Sequence, residues 1–241
     1  MNAREMHYDF KQKLNKIDSQ KYRNLYVPEI DWKLNEAQEV FVKRIAQPLT
    51  ISGWGFESNS RAIEDIISIV VDQNMQTGNC ITTTQYDTNR YKATVPDDYW
   101  FHIRSKVIAS KGNCLNIVLD THQRQHDDLH QRSPFDRSSF EWRYVNMEYN
   151  EDGFVLFTDG TFTISKFCLS YIRTPVRIQN AQDYQGGTYM ALDGTVLTGF
   201  TNCELPAVTH REIVDIAVLI TTGDLQIPDY AVKANKLQLT N

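Results

Sequence analysis

Nowhere does this sequence hold the run of about 18 apolar residues that a helix needs to cross a bilayer. Its first ten residues, MNAREMHYDF, lack the cationic-then-apolar order of a secretory leader. Both absences set the expectation of a soluble, unsecreted chain with no membrane partner. Cysteine is sparse: Cys80, Cys114, Cys168 and Cys203 lie far apart, with no CxxC pair and no zinc-knuckle spacing. Without a leader, they read as reduced and mostly buried thiols. Glycine-rich phosphate cradles are missing too, since neither GxxxxGK[ST] nor GxGxxG occurs, and Gly186-Gly187 and Gly53-Trp54-Gly55 read as turns. There is no GxSxG elbow and no HExxH pair. Clusters of Lys and Arg are lacking as well. The formal charge of -5 therefore argues against binding that depends on gripping phosphates.

What remains is a globular chain, 41% hydrophobic but polar for its size, with a mean hydropathy of -0.46. Length and composition allow one substantial core, or one core with a satellite lobe. Met6, Phe10, Leu14 and Ile17 recur at helical spacing. A second helix opens at Pro28 with acids in its first turn, and Ile30, Leu34, Ala37, Phe41 and Ile45 form its buried face. A third is expected over 60–71, although β-branched residues admit a strand in its second half. Tyr91, Ala93 and Val95 alternate as in a half-buried strand. The stretch 100–109 is open between strand and short helix, 115–119 reads as a strand, and 121–139 as a loop. Two Asp-Gly turns, Asp152-Gly153 and Asp159-Gly160, separate β-rich runs at 142–149, 154–158 and 161–172, which implies a three-stranded antiparallel meander. A loop with a hairpin is expected over 184–200. The stretch 205–223 reads as an amphipathic helix with Thr209 and Glu212 as a capping box, Ile213, Ile216, Ala217 and Ile220 as its apolar stripe, and Gly223 as its left-handed stop.

The order helices, strands, helix implies an α+β fold in which N-terminal and C-terminal helices pack as a small bundle around an inserted antiparallel β region. The expected divisions are 1–80 (helical), 81–204 (β-rich), 205–223 (the returning helix) and 224–241 (a polar tail).

Candidate chemistry is thin. His122, His126 and His130 stand four apart, and on a helix would share one face, a spacing at which neutral imidazoles can bind zinc. Their polar setting, DTHQRQHDDLHQR, supplies little to orient such ligands, so solvated histidines are the preferred reading. Asp97-Asp98 after Pro96 could pair for acid and base work, yet reads better as the cap of a short helix. Tyr99, Trp100, Phe101, Trp142, Tyr144 and Tyr149 could stack bases, but without interleaved cations they suit core and interface packing. No catalytic residue, metal site or cofactor is assigned.

Four stretches carry a family resemblance: VPEIDWKLNEAQEVFVKRIAQP at 27–48, TVPDDYWFHI at 94–103, YIRTPVRI at 171–178 and CELPAVTHREIVDIAV at 203–218. Together they resemble the head-tail connector, or ring, proteins of tailed bacteriophages, most of all those of crAss-like phages. The resemblance implies a structural, non-enzymatic virion protein. It would form a homo-oligomeric ring of about twelve copies below the portal protein, next to other tail ring or hub proteins, with viral DNA passing through the lumen unbound. Assembly would take place in the host bacterial cytoplasm. Leu225, Ile227, Tyr230 and Val232 in the tail are the expected partner-binding anchors. A fibre-associated binding module and a metal-dependent hydrolase built on the three histidines are the alternatives, and neither accounts for the terminal helices. Elemental analysis of the purified protein is expected to find no stoichiometric zinc, and a bound equivalent would revive the hydrolase.

Overall fold

The computed structural model describes residues 1–15, 25–46, 60–74, 78–124, 131, 133, 135–151, 153–191 and 194–225. In chain order the elements are helices α1 (Ala3–Asn15), α2 (Val27–Ala46) and α3 (Ser60–Ile66); strands β1 (Val70–Asp72), β2 (Ile81–Thr82), β3 (Thr84–Asp87), β4 (Arg90–Ala93), β5 (Tyr99–Lys111), β6 (Cys114–Gln123), β7 (Tyr144–Asn150), β8 (Gly153–Phe157) and β9 (Thr163–Arg173); then β10 (Gln179–Asn180), β11 (Thr188–Met190), β12 (Val196–Thr198), β13 (Phe200–Thr201) and helix α4 (His210–Asp224). The fold is α+β and rich in strands. It divides into two compact units, residues 70–174 and residues 1–69 with 175–241.

In the 70–174 unit, nine strands form one sheet that runs β1-β9-β5-β6-β7-β8-β4-β3. The sheet curls until its ends meet. Strand β2 pairs with β9, the Thr83 amide donates to Ser165 on β9, and β3 then pairs with β4, so one nearly continuous segment changes partner and closes the circuit. Ring contacts agree. Strands β8 and β9 lie four places apart, about 19 Å in a flat sheet, yet the Phe154 and Phe167 rings pack at a tilt with centroids 5.1 Å apart. Closure removes most unpaired strand edges. The alternation of strand side chains turns Ser105, Val107 and Ala109 of β5 inward and leaves Arg104 and Lys106 exposed. Leu119, Val145, Met147, Phe154, Leu156, Phe167 and Leu169 fill the same interior.

Several expectations need correction here. The third helix stops at Ile66, and Val70-Val71 form β1, the outcome that their β-branched side chains favour. The ambiguous 100–109 stretch is strand, and β6 extends to Gln123. The meander does not form. Strands β7 and β8 make a hairpin, but β8 pairs onward with β4, and β9 with β5. Around Asp159-Gly160 the Asp159 carboxylate accepts hydrogen bonds from the Thr161 amide and hydroxyl, a local turn that redirects the chain in place of a tight hairpin. Nor is the β region wholly antiparallel, because β6 and β7 run parallel.

Cys80 and Cys168 are joined in a disulfide, against the expectation of reduced thiols. Ile81 faces Phe167 across the β2–β9 ladder, so Cys80 meets Cys168 one step further along, and Ile108 packs against the pair. Residues 88 apart in sequence carry no local spacing signal. Cys114 and Cys203 are free, and burial pushes the Cys203 thiol up to about 11.

In the other unit, α4 packs against α1 and α2, while β10 pairs with β13 and β11 with β12. Met6, Phe10 and Leu14 of α1 and Ile30, Leu34, Ala37 and Phe41 of α2 are buried, whereas Ile45 is only half-buried. Ile17 lies outside the described residues. Helix α4 buries Ile213, Val214, Ile216, Ala217 and Val218. Its capping box does not form on the Thr209 side, since that hydroxyl donates back to the Pro206 carbonyl. Gly223 stays helical and Leu225 caps the end, its amide bonded to the Thr221 carbonyl.

Reducing the Cys80–Cys168 bond, or replacing both by Ala, is expected to lower stability by up to about 4.6 kcal/mol, the loop-entropy limit. Hydrogen exchange should rise most at Thr82 and Thr83. A melting temperature indifferent to reductant would show that the seam does not depend on the bond.

Candidate functional site

Asp31 sits on the inward face of α2 at 2% exposure, where an unmatched carboxylate would be strongly destabilising. It is matched three times. The His7 ring on α1 donates from Nε2 to Oδ1 at 2.6 Å, and Oδ2 accepts from the Asn180 amide at 2.9 Å and the Tyr189 hydroxyl at 2.6 Å. One carboxylate thus ties α1, α2, β10 and β11 together. One helical turn further on, Asn35 extends the clasp: its Oδ1 accepts from the Ile178 amide and its Nδ2 donates to the Ile178 carbonyl, both at 2.8 Å. Asn180 in turn donates to Asp183, whose carboxyl is held below its usual range by hydrogen bonds from Arg4 and then Asn180. Burial, followed by the bond to Asp31, pushes the Tyr189 phenol upward.

The His7–Asp31–Tyr189 set has the residue types of an acid–base relay but not the setting for one. Each ligating oxygen of Asp31 is engaged, and the group is packed inside. An open groove among the described residues lies elsewhere, along α1 and α4, lined by Tyr8, Asp9, Gln12, Lys13, Arg211 and Asp215. There Lys13 bridges Asp9 at 2.9 Å and Asp215 at 2.8 Å. Burial opposes its charge, but the hydrogen bonds to Asp215 and Asp9 outweigh it and raise the pKa. In the 70–174 unit, His102 Nε2 lies 2.9 Å from the Ser105 hydroxyl, and burial lowers the His102 pKa. That hydroxyl also meets Thr121 and the Met147 sulfur, so it closes off the polar end of the core.

The residues singled out in the sequence do not converge. His122 lies on β6 with its ring edge-on to Tyr144 at 5.6 Å, while His126 and His130 fall outside the described residues. Among the described residues, no group of three His, Cys, Asp or Glu side chains could hold a metal ion. Asp98 caps no helix: it lies in a turn, where its carboxylate accepts from the Tyr171 hydroxyl and its carbonyl from the Thr174 amide. Burial and then the Asp98 bond push the Tyr171 phenol up to about 12. Tyr99 packs with Tyr149, Phe154 and Tyr171, and Trp142 stands 81% exposed. Of the tail anchors, Leu225 is described and partly exposed, whereas Ile227, Tyr230 and Val232 lie outside the described residues. The sequence reading missed His7 and Asp31. Their signal was faint: each is a titratable residue in phase with a buried stripe, His7 beside Met6 and Phe10, and Asp31 in register with Leu34 and Gln38.

The described surface offers paired charges and exposed aromatic or aliphatic side chains, among them Trp32, Trp142, Met190 and Phe200. Such surfaces suit packing against other proteins. A family model described as "Phage tail ring protein 3/4" (CrAss_Ring_3_4) matches residues 1–228. The chain belongs to that family. As a phage tail ring protein it is a structural component of the tail, and the match takes in all four stretches that carried the resemblance. A search of the curated proteins returned no match. No described helix of this ring protein is long and apolar enough to cross a membrane.

Asp31→Ala would leave His7, Asn180 and Tyr189 without their shared acceptor, at a cost of roughly 3–5 kcal/mol. Tyr189→Phe, which removes one hydrogen bond to the carboxylate, should cost about 2 kcal/mol. Urea denaturation midpoints measure both, and equal effects would refute Asp31 as the hub.

Proposed function

We propose that this ring protein is a neck connector, with about twelve copies closing into a collar below the portal protein, against other tail ring or hub proteins, and leaving a lumen for genome ejection. Family membership carries the reading. In this proposal the N-terminal and C-terminal helices act as a small bundle forming the ring wall (1–80 with 205–223), the β region (81–204) contacts the next tail layer, and the tail (224–241) engages a partner through Leu225, Ile227, Tyr230 and Val232. The chain assembles in the host cytoplasm and works in the virion neck, without cofactor or enzymatic step. A formal charge of -5 is compatible with a channel that lets DNA slide, because fixed positive charge would retain phosphates. The exposed apolar side chains supply material for contacts between copies. A closed ring needs two different, matching patches on every subunit.

Native mass measurement and negative-stain imaging of the purified protein, alone and with the portal, are expected to show a ring with a central hole. A chain that stays monomeric under both conditions would overturn the connector.

A further inference from the structure

We infer that the turn carrying Trp142 and Arg143 in one copy docks on the acidic edge that the β7–β8 hairpin and Asp97 form in a second copy of this chain. The inference rests on the ring reading and adds a contact between copies inside the β region, beside that region's contact with the next tail layer.

The knob is a turn built to hold its shape. Ser139 and Tyr144 exchange backbone hydrogen bonds at 3.0 and 3.2 Å across it, and the Tyr144 hydroxyl donates to the Arg137 carbonyl at 2.6 Å, with the Phe135 carbonyl at 3.1 Å. The Phe140 ring lies 5.8 Å from that of Phe162, and Glu141 is bound by Lys111 at 2.5 Å. From this base Phe135 and Trp142 stand 91% and 81% exposed, with Arg137 and Arg143 exposed beside them. Arg143 has a φ of 56°, a left-handed conformation that glycine takes without strain. A strained backbone thus presents a guanidinium next to an exposed indole. Trp and Arg are prominent among the side chains that anchor protein interfaces, and a rigid mount spares the entropy of ordering them. The nearby acids are engaged, Glu141 by Lys111 and Asp136 by Arg124 at 3.6 Å, whereas neither Arg137 nor Arg143 has an ion pair among the described residues.

The opposite end of β7 supplies the complement. There Tyr149 is 51% exposed, and Glu151 is exposed in the turn that follows. The Tyr149 ring packs 6.1 Å from that of Tyr99, which brings Asp97, also exposed, to the same edge. Asp97, Glu151 and the half-buried Glu148 likewise have no ion pair among the described residues. The unpaired charges of the two patches are therefore opposite in sign, and an exposed aromatic side chain accompanies each. One chain cannot join its own two patches: the seven residues of β7 hold them about 20 Å apart within a closed sheet. A second copy brings both complements at once. Each copy then offers a knob and an edge at different places, which is the head-to-tail pairing that closes rings.

The test uses full-length chains and reverses each patch, with Arg137→Glu and Arg143→Glu at the knob and Asp97→Lys and Glu151→Lys at the edge. All four positions are exposed, and circular dichroism checks that the fold is kept. Either variant alone sets like charge against like, and the concentration at which it assembles is expected to rise by about tenfold or more. An equimolar mixture is expected to assemble as the wild type does, because every knob then meets an edge of opposite charge. Arg143→Gly removes the guanidinium and the strain together, so it should hold or raise the melting temperature while weakening assembly, and it decides the matter if a reversed pair does not fold. If the wild type assembles and a folded reversed variant or Arg143→Gly assembles equally well, or the mixture of folded variants stays apart, this interface is overturned while the ring stands. Weaker assembly of Arg143→Gly together with a lower melting temperature makes the turn a structural element and overturns it too. A wild-type chain that never assembles overturns both.

Discussion

A carboxylate withdrawn from water must be given its hydrogen bonds by the protein, and around Asp31 this requirement organises a whole unit. His7, the Asn180 backbone and Tyr189 come from three separate parts of the chain, and all must arrive for the charge to be tolerated. The apolar contacts of α1, α2 and α4 would accept small slips of register, because burial is not directional. The hydrogen bonds to Asp31 and the pairing of Asn35 with Ile178 would not. The short strands that follow Pro175 are too small to hold their own geometry, and these bonds give them a defined seat on the helices.

In the 70–174 unit the corresponding constraint is closure. Strand β2 contributes two residues to the β9 ladder, so the sheet is completed at its weakest junction. Two devices reinforce that place: Thr83 bonds β9 through both its amide and its hydroxyl, and the Cys80–Cys168 bond fixes the start of the segment. With the circuit complete, aromatic rings from distant strands share one interior.

Among the described residues, no arrangement is displayed that moves protons or electrons at an open site. The described titratable groups Asp31, Asp183 and Lys13 hold segments together, and His102 closes the end of a core. A tail ring protein needs defined surfaces that repeat from copy to copy, and rigid seats for short segments serve that end.

Helical spacing already identified α1, α2 and the core of α4, because a buried stripe leaves a local periodicity that any window of the sequence contains. Strand-forming stretches were legible for the same reason, and four scattered stretches sufficed for the family. Pairing was not. Whether Asp159-Gly160 makes a hairpin or a redirecting turn depends on what the next strand finds to pair with, and β9 finds β5. The capping box at Thr209 looked sound in sequence, yet its hydroxyl had a nearer acceptor at Pro206. The disulfide, the parallel β6–β7 pair and the partners of Asp31 join residues far apart in the chain, and no local pattern records such distances. The sequence by itself determined the α+β class, most helices and the ring family. Only the tertiary structure decided how the sheet closes, which cysteines join and where a buried charge finds its bonds, because those depend on contacts between segments that meet only after folding.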